Sequence, residues 1–225
     1  PHAPHVALRK YESVYPLADM RLHSTREGEL QEKARRFAIK WRASGADRAS
    51  EEDKRRFMAV YYSMISWVDE NVGRILDRLE GLGLANDTLI VFTTDHGDMM
   101  GDHGLITKGI KHYDLSARCP LIVRGPGVRP GTSDRLTRSL DVYPTMCDWA
   151  GVPDGDRPPV EGRSFAAAND PGWDALTVRS TSRKPGKGTV ASVFTDDGWR
   201  YTIVDEPGDY GELFNLAEDP HEQHN

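Results

Sequence analysis

The sequence predicts an α/β fold: a sheet core flanked by helices, followed by a small antiparallel-sheet subdomain toward the C-terminus. Three observations carry that expectation. The run Leu89-Ile90-Val91-Phe92 ahead of Thr93-Thr94 has the apolar continuity of a buried strand. Before it, Phe57, Tyr61, Met64, Ile65, Val68, Val72, Ile75, Leu76 and Leu79 recur at helical spacing, so a long helix is expected to bury that face. Farther on, Ala191-Ser192-Val193-Phe194-Thr195 and Trp199-Arg200-Tyr201-Thr202-Ile203-Val204 flank Asp196-Asp197-Gly198, as in a hairpin closed by an Asp-Gly turn.

Each element has its own start and stop. Charges are scattered from Tyr11 to Ala49, which reads as a surface excursion with a short helix over Glu27–Trp41, its apolar face made by Leu30, Ala34, Phe37 and Trp41. Ser50 followed by Glu51, Glu52 and Asp53 opens the long helix, because a hydroxyl cap and early acids satisfy and complement its positive end. Gly81 and Gly83 close it, and Asn86-Asp87 turns the chain into a strand over 88–94. Helix then strand reads as half of a βαβ unit, with the strand parallel to its neighbour and serving as the helix's packing partner. A second strand is expected over Pro120–Arg124, the proline tolerated at its first position, and Gly125-Pro126-Gly127 ends it. A compact helix over Asp141–Trp149, apolar at Val142, Met146 and Trp149, stops at Gly151 and Pro153. The domain expectation is therefore a main body over 1–150, a turn-rich linker over 151–164, and a subdomain of sheet plus short helix over 165–225.

Composition narrows the function classes. With 225 residues, 38% hydrophobic content and a formal charge of −6, the chain can bury a core but offers no broad basic surface, so no nucleic-acid partner is expected. No apolar stretch approaches the roughly 20 residues that cross a bilayer, so no membrane partner is expected and location stays open between cytoplasm and secretion. Cys119 and Cys147 are too few for a disulfide framework and lack paired metal-ligand spacing.

The chemistry gathers where the first strand ends. Asp95-His96-Gly97-Asp98, continued by Gly101-Asp102-His103-Gly104 and Lys108-Gly109, places a carboxylate and an imidazole where ligands of open α/β sheets usually bind. That pair can share a divalent cation, and the Lys108 ammonium can meet a bound oxyanion. In isolation, Asp-His-Gly reads more readily as an Asx-type turn at a strand end than as a metal site.

The extended pattern from Thr93 to Gly109 continues as Arg118-Cys119-Pro120-Leu121-Ile122-Val123, Arg124-Gly125-Pro126-Gly127 and Ser139-Leu140-Asp141-Val142-Tyr143-Pro144-Thr145. It closes with Glu212-Leu213-Phe214-Asn215-Leu216 and Glu218-Asp219-Pro220. Over nearly the whole chain it resembles the sulfatase family of the alkaline phosphatase superfamily, and specifically the C-terminal portion of that family. The resemblance implies an alkaline phosphatase-like mixed sheet core. It also implies one divalent metal on Asp95 and His96, calcium by family default, with manganese the alternative because calcium prefers oxygen ligands. Pro1-His2-Ala3-Pro4-His5 resembles the family's internal PHxP segment, so His2 and Lys108 are expected on the transferred group, with His103 and His112 as further substrate-binding candidates.

Sulfatases carry a nucleophile motif, C-x-P-x-R or S-x-P-x-R, whose Cys or Ser becomes formylglycine, and an early Asp pair at the metal. Neither stands in this sequence, and Cys119, followed directly by Pro120, does not fit the motif. The expectation is a metal-dependent sulfatase acting on a small anionic sulfate or phosphate ester. Formylglycine would come from a missing N-terminal portion acting as partner, and this chain alone would be inactive. Two alternatives stand beside it: a phosphonate monoester or phosphodiester hydrolase of the same superfamily, and a noncatalytic structural or binding piece.

Overall fold

The computed structural model describes residues 2, 4–22, 25, 28–29, 39, 41–108, 112–167, 175–181, 189–205 and 210–224. The expected helix over Glu27–Trp41 falls largely outside them, as does Gly109. The chain divides into two compact units, Pro1–Pro130 and Gly131–Asn225. Together they form the predicted α/β fold with an antiparallel-sheet subdomain at the C-terminal end.

The first unit is organised by helix α1 (Glu51–Gly81). Its start is the predicted one. The Ser50 hydroxyl accepts the Asp53 backbone N–H at 3.1 Å, and the Ser50 N–H donates to the Asp53 carboxylate at 2.9 Å, a reciprocal capping box that satisfies two donors the helix itself cannot. The buried face differs from the expected one. Met58, Ala59, Tyr61 and Ser63 are buried, whereas Ile65, Val68 and Ile75 are exposed, Ile75 to 61%. At 1.5 Å per residue the helix runs about 46 Å. Its main partners are the short 3₁₀ turns Arg9–Tyr11, Leu17–Asp19 and Ala85–Asp87, and not the strand that follows it. Met20, Tyr15, Leu17, Leu22 and Met100 close over Met58, Ala59 and Tyr62. Only the part of the helix beneath that segment is buried.

Strand β1 (Ile90–Thr93) pairs with β2 (Leu121–Arg124), with single-turn helix α2 (Asp114–Ala117) between them. The pairing is antiparallel, which corrects the expected parallel neighbour. The last residue of β1, Thr93, lies opposite the first of β2, Leu121, so the chain returns from the end where it left. Gly97 makes that return close: its N–H donates to the Ser116 carbonyl at 2.9 Å, and a Cβ there would stand 2.0 Å from the Leu115 carbonyl oxygen.

In the second unit, helix α3 (Val142–Trp149) follows a 3₁₀ turn at Ser139–Asp141. Its buried residues are Pro144, Thr145 and Cys147, while Met146 faces solvent. The buried Asp141 carboxylate accepts the backbone N–H groups of Arg138 at 2.8 Å and Arg163 at 2.9 Å, binding the segment before α3 to the turn-rich stretch after it. Strands β3 (Ala175–Thr181), β4 (Thr189–Thr195), β5 (Trp199–Val204) and β6 (Tyr210–Asn215) form an antiparallel sheet in that order. The predicted hairpin is β4–β5, with Phe194 opposite Arg200 and Val190 opposite Val204. The short helix expected beside this sheet is not among the described residues. No helix of the described residues is long and apolar enough to cross a membrane.

Candidate functional site

β1 delivers Asp95 and His96 at its C-terminal end. The two side chains approach to 3.7 Å, Asp95 86% exposed and His96 36%. His96 Nδ1 lies 2.7 Å from the Gly97 carbonyl, an acceptor, so Nδ1 carries the proton and Nε2 presents its lone pair. That lone pair faces Lys108, whose Nζ stands 3.2 Å away. The loop thus folds the ammonium back to the strand end and brings Lys108 onto His96. Burial pushes the Asp95 carboxyl up, but the electrostatic interaction with the adjoining His96 and hydrogen bonds from the backbone and Thr94 outweigh it and hold the carboxyl below its ordinary range.

Asp98 is the residue of this site that sequence reasoning missed. Its carboxylate accepts the Met100 N–H at 3.2 Å and also the Lys108 N–H, tying both ends of the loop between them. Burial pushes its pKa up, opposed by those two N–H groups and by His5 and His96. The Asp-x-x spacing that favours bonding back to the backbone was the available signal. His5 and Tyr61 complete the neighbourhood. The His5 ring meets Phe57 edge-on at 4.8 Å and Tyr61 at 6.0 Å. Burial lowers the His5 pKa, Asp98 raises it, and the charge of nearby His2 lowers it. The α1 residues Phe57 and Tyr61 therefore hold His5 within electrostatic reach of Asp98.

The remaining candidates lie differently. His2 is exposed and within electrostatic reach of His5. His103 is buried, its Nδ1 bonded to the Glu29 carboxylate and its ring stacked on Tyr113 at 4.0 Å. His112 is also buried. Burial and the Asp95 charge both push the Cys119 thiol up, away from thiolate character.

Among the described residues no group of three or more His, Cys, Asp or Glu side chains is arranged to hold a metal ion. Asp95 and His96 supply two donors, short of the six to eight oxygens that calcium takes. The set is incomplete for a resident divalent ion.

The sulfatase family model matches residues 1–152. The chain belongs to the sulfatase family. It is 32% identical over 235 aligned positions to a choline-sulfatase of Rhizobium meliloti (strain 1021), covering 98% of this chain and 45% of that protein. It is also 32% identical over 182 positions to the multifunctional alkaline phosphatase superfamily protein PehA of Trinickia caryophylli, covering 73% of this chain and 35% of that one. The crystal structure of phosphonate monoester hydrolase of Agrobacterium radiobacter matches the whole of this chain and 50% of its own, with a TM-score of 0.80 at 28% identity. The chain therefore spans about half the length of the relatives it matches. One expectation is corrected by these matches. Assignment to the C-terminal portion of the family alone does not stand, because the family match occupies 1–152, the N-terminal majority of this sulfatase-family chain. The strand-end motif identifies a site by its chemistry, and it carries no information about where that site falls along a family domain.

Proposed function

We propose that the strand-end site holds the anionic centre of a small ester during hydrolysis, phosphonate and phosphate esters foremost. The contact between Lys108 Nζ and His96 Nε2 at 3.2 Å carries this reading. An arriving oxyanion offers the ammonium a charged acceptor in place of a neutral nitrogen, so Lys108 turns from His96 to the anion and offsets the charge that builds on it. His96, held by the Gly97 carbonyl, keeps its ring orientation through that exchange. His2, exposed near His5, is the group to hold or give a proton at the leaving oxygen. The preference for phosphonate and phosphate rests on the whole-chain match to phosphonate monoester hydrolase. Sulfate ester hydrolysis is the second reading, favoured by the 32% identity to choline-sulfatase over 98% of the chain.

Asp95 and His96 are the pair to which a divalent ion, calcium or manganese, would bind. With two donors, binding to this chain falls at or beyond the weak end of calcium sites, about 10⁻³ M. Calorimetric titration checks this, and tight stoichiometric binding that survives Asp95→Ala removes Asp95 from the site.

The readings are separated by titrating the chain with methylphosphonate, inorganic phosphate and sulfate while following the His96 ring and Lys108 resonances. Tighter binding of the phosphorus anions supports the first reading, and tighter sulfate binding the second. No response from any anion sinks both. In an active protein containing this chain, Lys108→Ala should lower kcat/KM by about 10²-fold or more, the scale for losing one preorganised charge-stabilising donor.

A further inference from the structure

The loop from Met99 to Lys108 has a costly backbone. Met100, Gly101, His103 and Gly104 all take positive φ, at 49°, 105°, 51° and 71°. For Met100 and His103 that region is strained and persists only where surrounding contacts over-determine it. The turn is closed by backbone bonds from Asp102 N–H to the Met99 carbonyl at 2.8 Å and from Leu105 N–H to the Asp102 carbonyl at 2.9 Å. Such bonds shape a turn without fixing where it sits.

What fixes it is buried. Met99, Leu105 and Tyr113 form a fully enclosed cluster with Trp41 against it. The His103 ring stacks on Tyr113 with an interplanar angle of 20°. Its Nδ1 meets the Glu29 carboxylate, and both side chains are essentially excluded from solvent. Glu29 lies 74 residues earlier in the chain, so this bond ties the loop to the segment before α1. Lys108 follows His103 by five positions, and its own N–H is held by Asp98.

We propose that Glu29 and His103 are positioning residues for Lys108: their buried pair pins the left-handed turn, and the pinned turn holds the ammonium on His96. The proposal rests on the reading of Lys108 as the anion-holding group. His103 then acts through the loop and not on the substrate, which accounts for its complete burial. Removing the carboxylate leaves an enclosed imidazole N–H without this acceptor, and the turn relaxes away from its strained conformation.

The test uses the full 225-residue chain, with the His96 ring nitrogen resonances as a readout that needs no ligand and the affinity for inorganic phosphate as a second. Glu29→Ala should move the Nε2 resonance toward its position in Lys108→Ala and weaken phosphate binding at least about tenfold, the scale of a displaced binding group. Glu29→Gln, which keeps an oxygen to accept the Nδ1 proton, should restore both. His103→Asn tolerates positive φ but loses the ring, and should reproduce the displacement even where Glu29→Ala fails to fold. A folded Glu29→Ala or His103→Asn chain with the wild-type His96 resonance and phosphate affinity overturns the proposal. Loss in Glu29→Ala without rescue by Glu29→Gln overturns it as well. If the unaltered chain binds no phosphate, the functional reading fails on its own, and the ring resonance still decides whether the pair positions Lys108.

Discussion

Arg200 stands on the buried side of β5, where an alternating strand would be expected to place an apolar residue. Its Nη1 donates to the Thr202 hydroxyl at 2.7 Å, its Nη2 lies 3.5 Å from the Glu212 carboxylate, and its Nε meets the Glu222 carboxylate. The guanidinium also lies 4.8 Å above the Phe214 ring. Trp199, Tyr201 and Ile203, the apolar residues of the same strand, face outward. The alternation of β5 could be read from the sequence, but which face was interior could not, because a charge can be buried once its partners surround it. Arg200→Ala takes an ion-pair partner from two enclosed carboxylates and should cost about 3–5 kcal/mol, read as a fall in chemical-denaturation stability. A change below about 1 kcal/mol would mean that the network is not sustained. Gly97 makes a second prediction at this scale. A Cβ in Gly97→Ala would collide with the Leu115 carbonyl, so the loop must shift, at about 1–3 kcal/mol and with disturbed β1–β2 amide resonances. Unchanged resonances would contradict the close approach.

Helix α1 shows what local signals can determine about an element. Ser50 and Asp53 were readable as its start because a capping box depends on residues three apart and on nothing distant. Ser50→Ala should cost about 1 kcal/mol, measured as a lowered midpoint in urea or on heating. The Ser50 hydroxyl, and then its N–H, hold the Asp53 carboxyl below its ordinary value of 3.8. A depressed folded-state pKa means that the contribution is fully present above that value and is lost as pH falls through the lower folded one. The stability difference between the unaltered chain and Ser50→Ala should therefore persist at neutral pH and shrink below the carboxylate range. A difference that grows on acidification would refute the reciprocal bond. The buried stripe of α1 was less readable. Its periodicity marks residues able to be buried, whereas the segment carrying Tyr15, Leu17 and Met20 decides which of them are.

At the scale of the whole chain, the elements that serve the site come from distant parts of the sequence. β1 brings Asp95 and His96, the loop after it brings Asp98 and Lys108, and the N-terminal segment on α1 brings His5. On the reading proposed above these groups hold an anion, and the 225 residues contain no C-x-P-x-R or S-x-P-x-R motif to supply the family's attacking group. The purified 225-residue chain should accordingly bind anions yet show no turnover above background on aryl phosphonates, phosphodiesters or aryl sulfates. Robust, stoichiometric turnover that follows the chain through purification would show that another nucleophile serves it.

The sequence by itself determined the α/β class, the start of the long helix and the β4–β5 hairpin. All of these depend on spacing, turn chemistry or caps within short stretches of chain, where sequence order and spatial order coincide. Only the tertiary structure decided that β2 returns antiparallel to β1, that His103 turns inward to Glu29, that Asp98 ties the loop at Lys108, and that Arg200 lies inside its sheet. Each of those depends on a partner far along the chain or on the far side of a loop. Histidine, aspartate and arginine are the residues for which the partner decides the role: the same side chain is a solvated charge, a ligand or a buried anchor according to what the fold places against it.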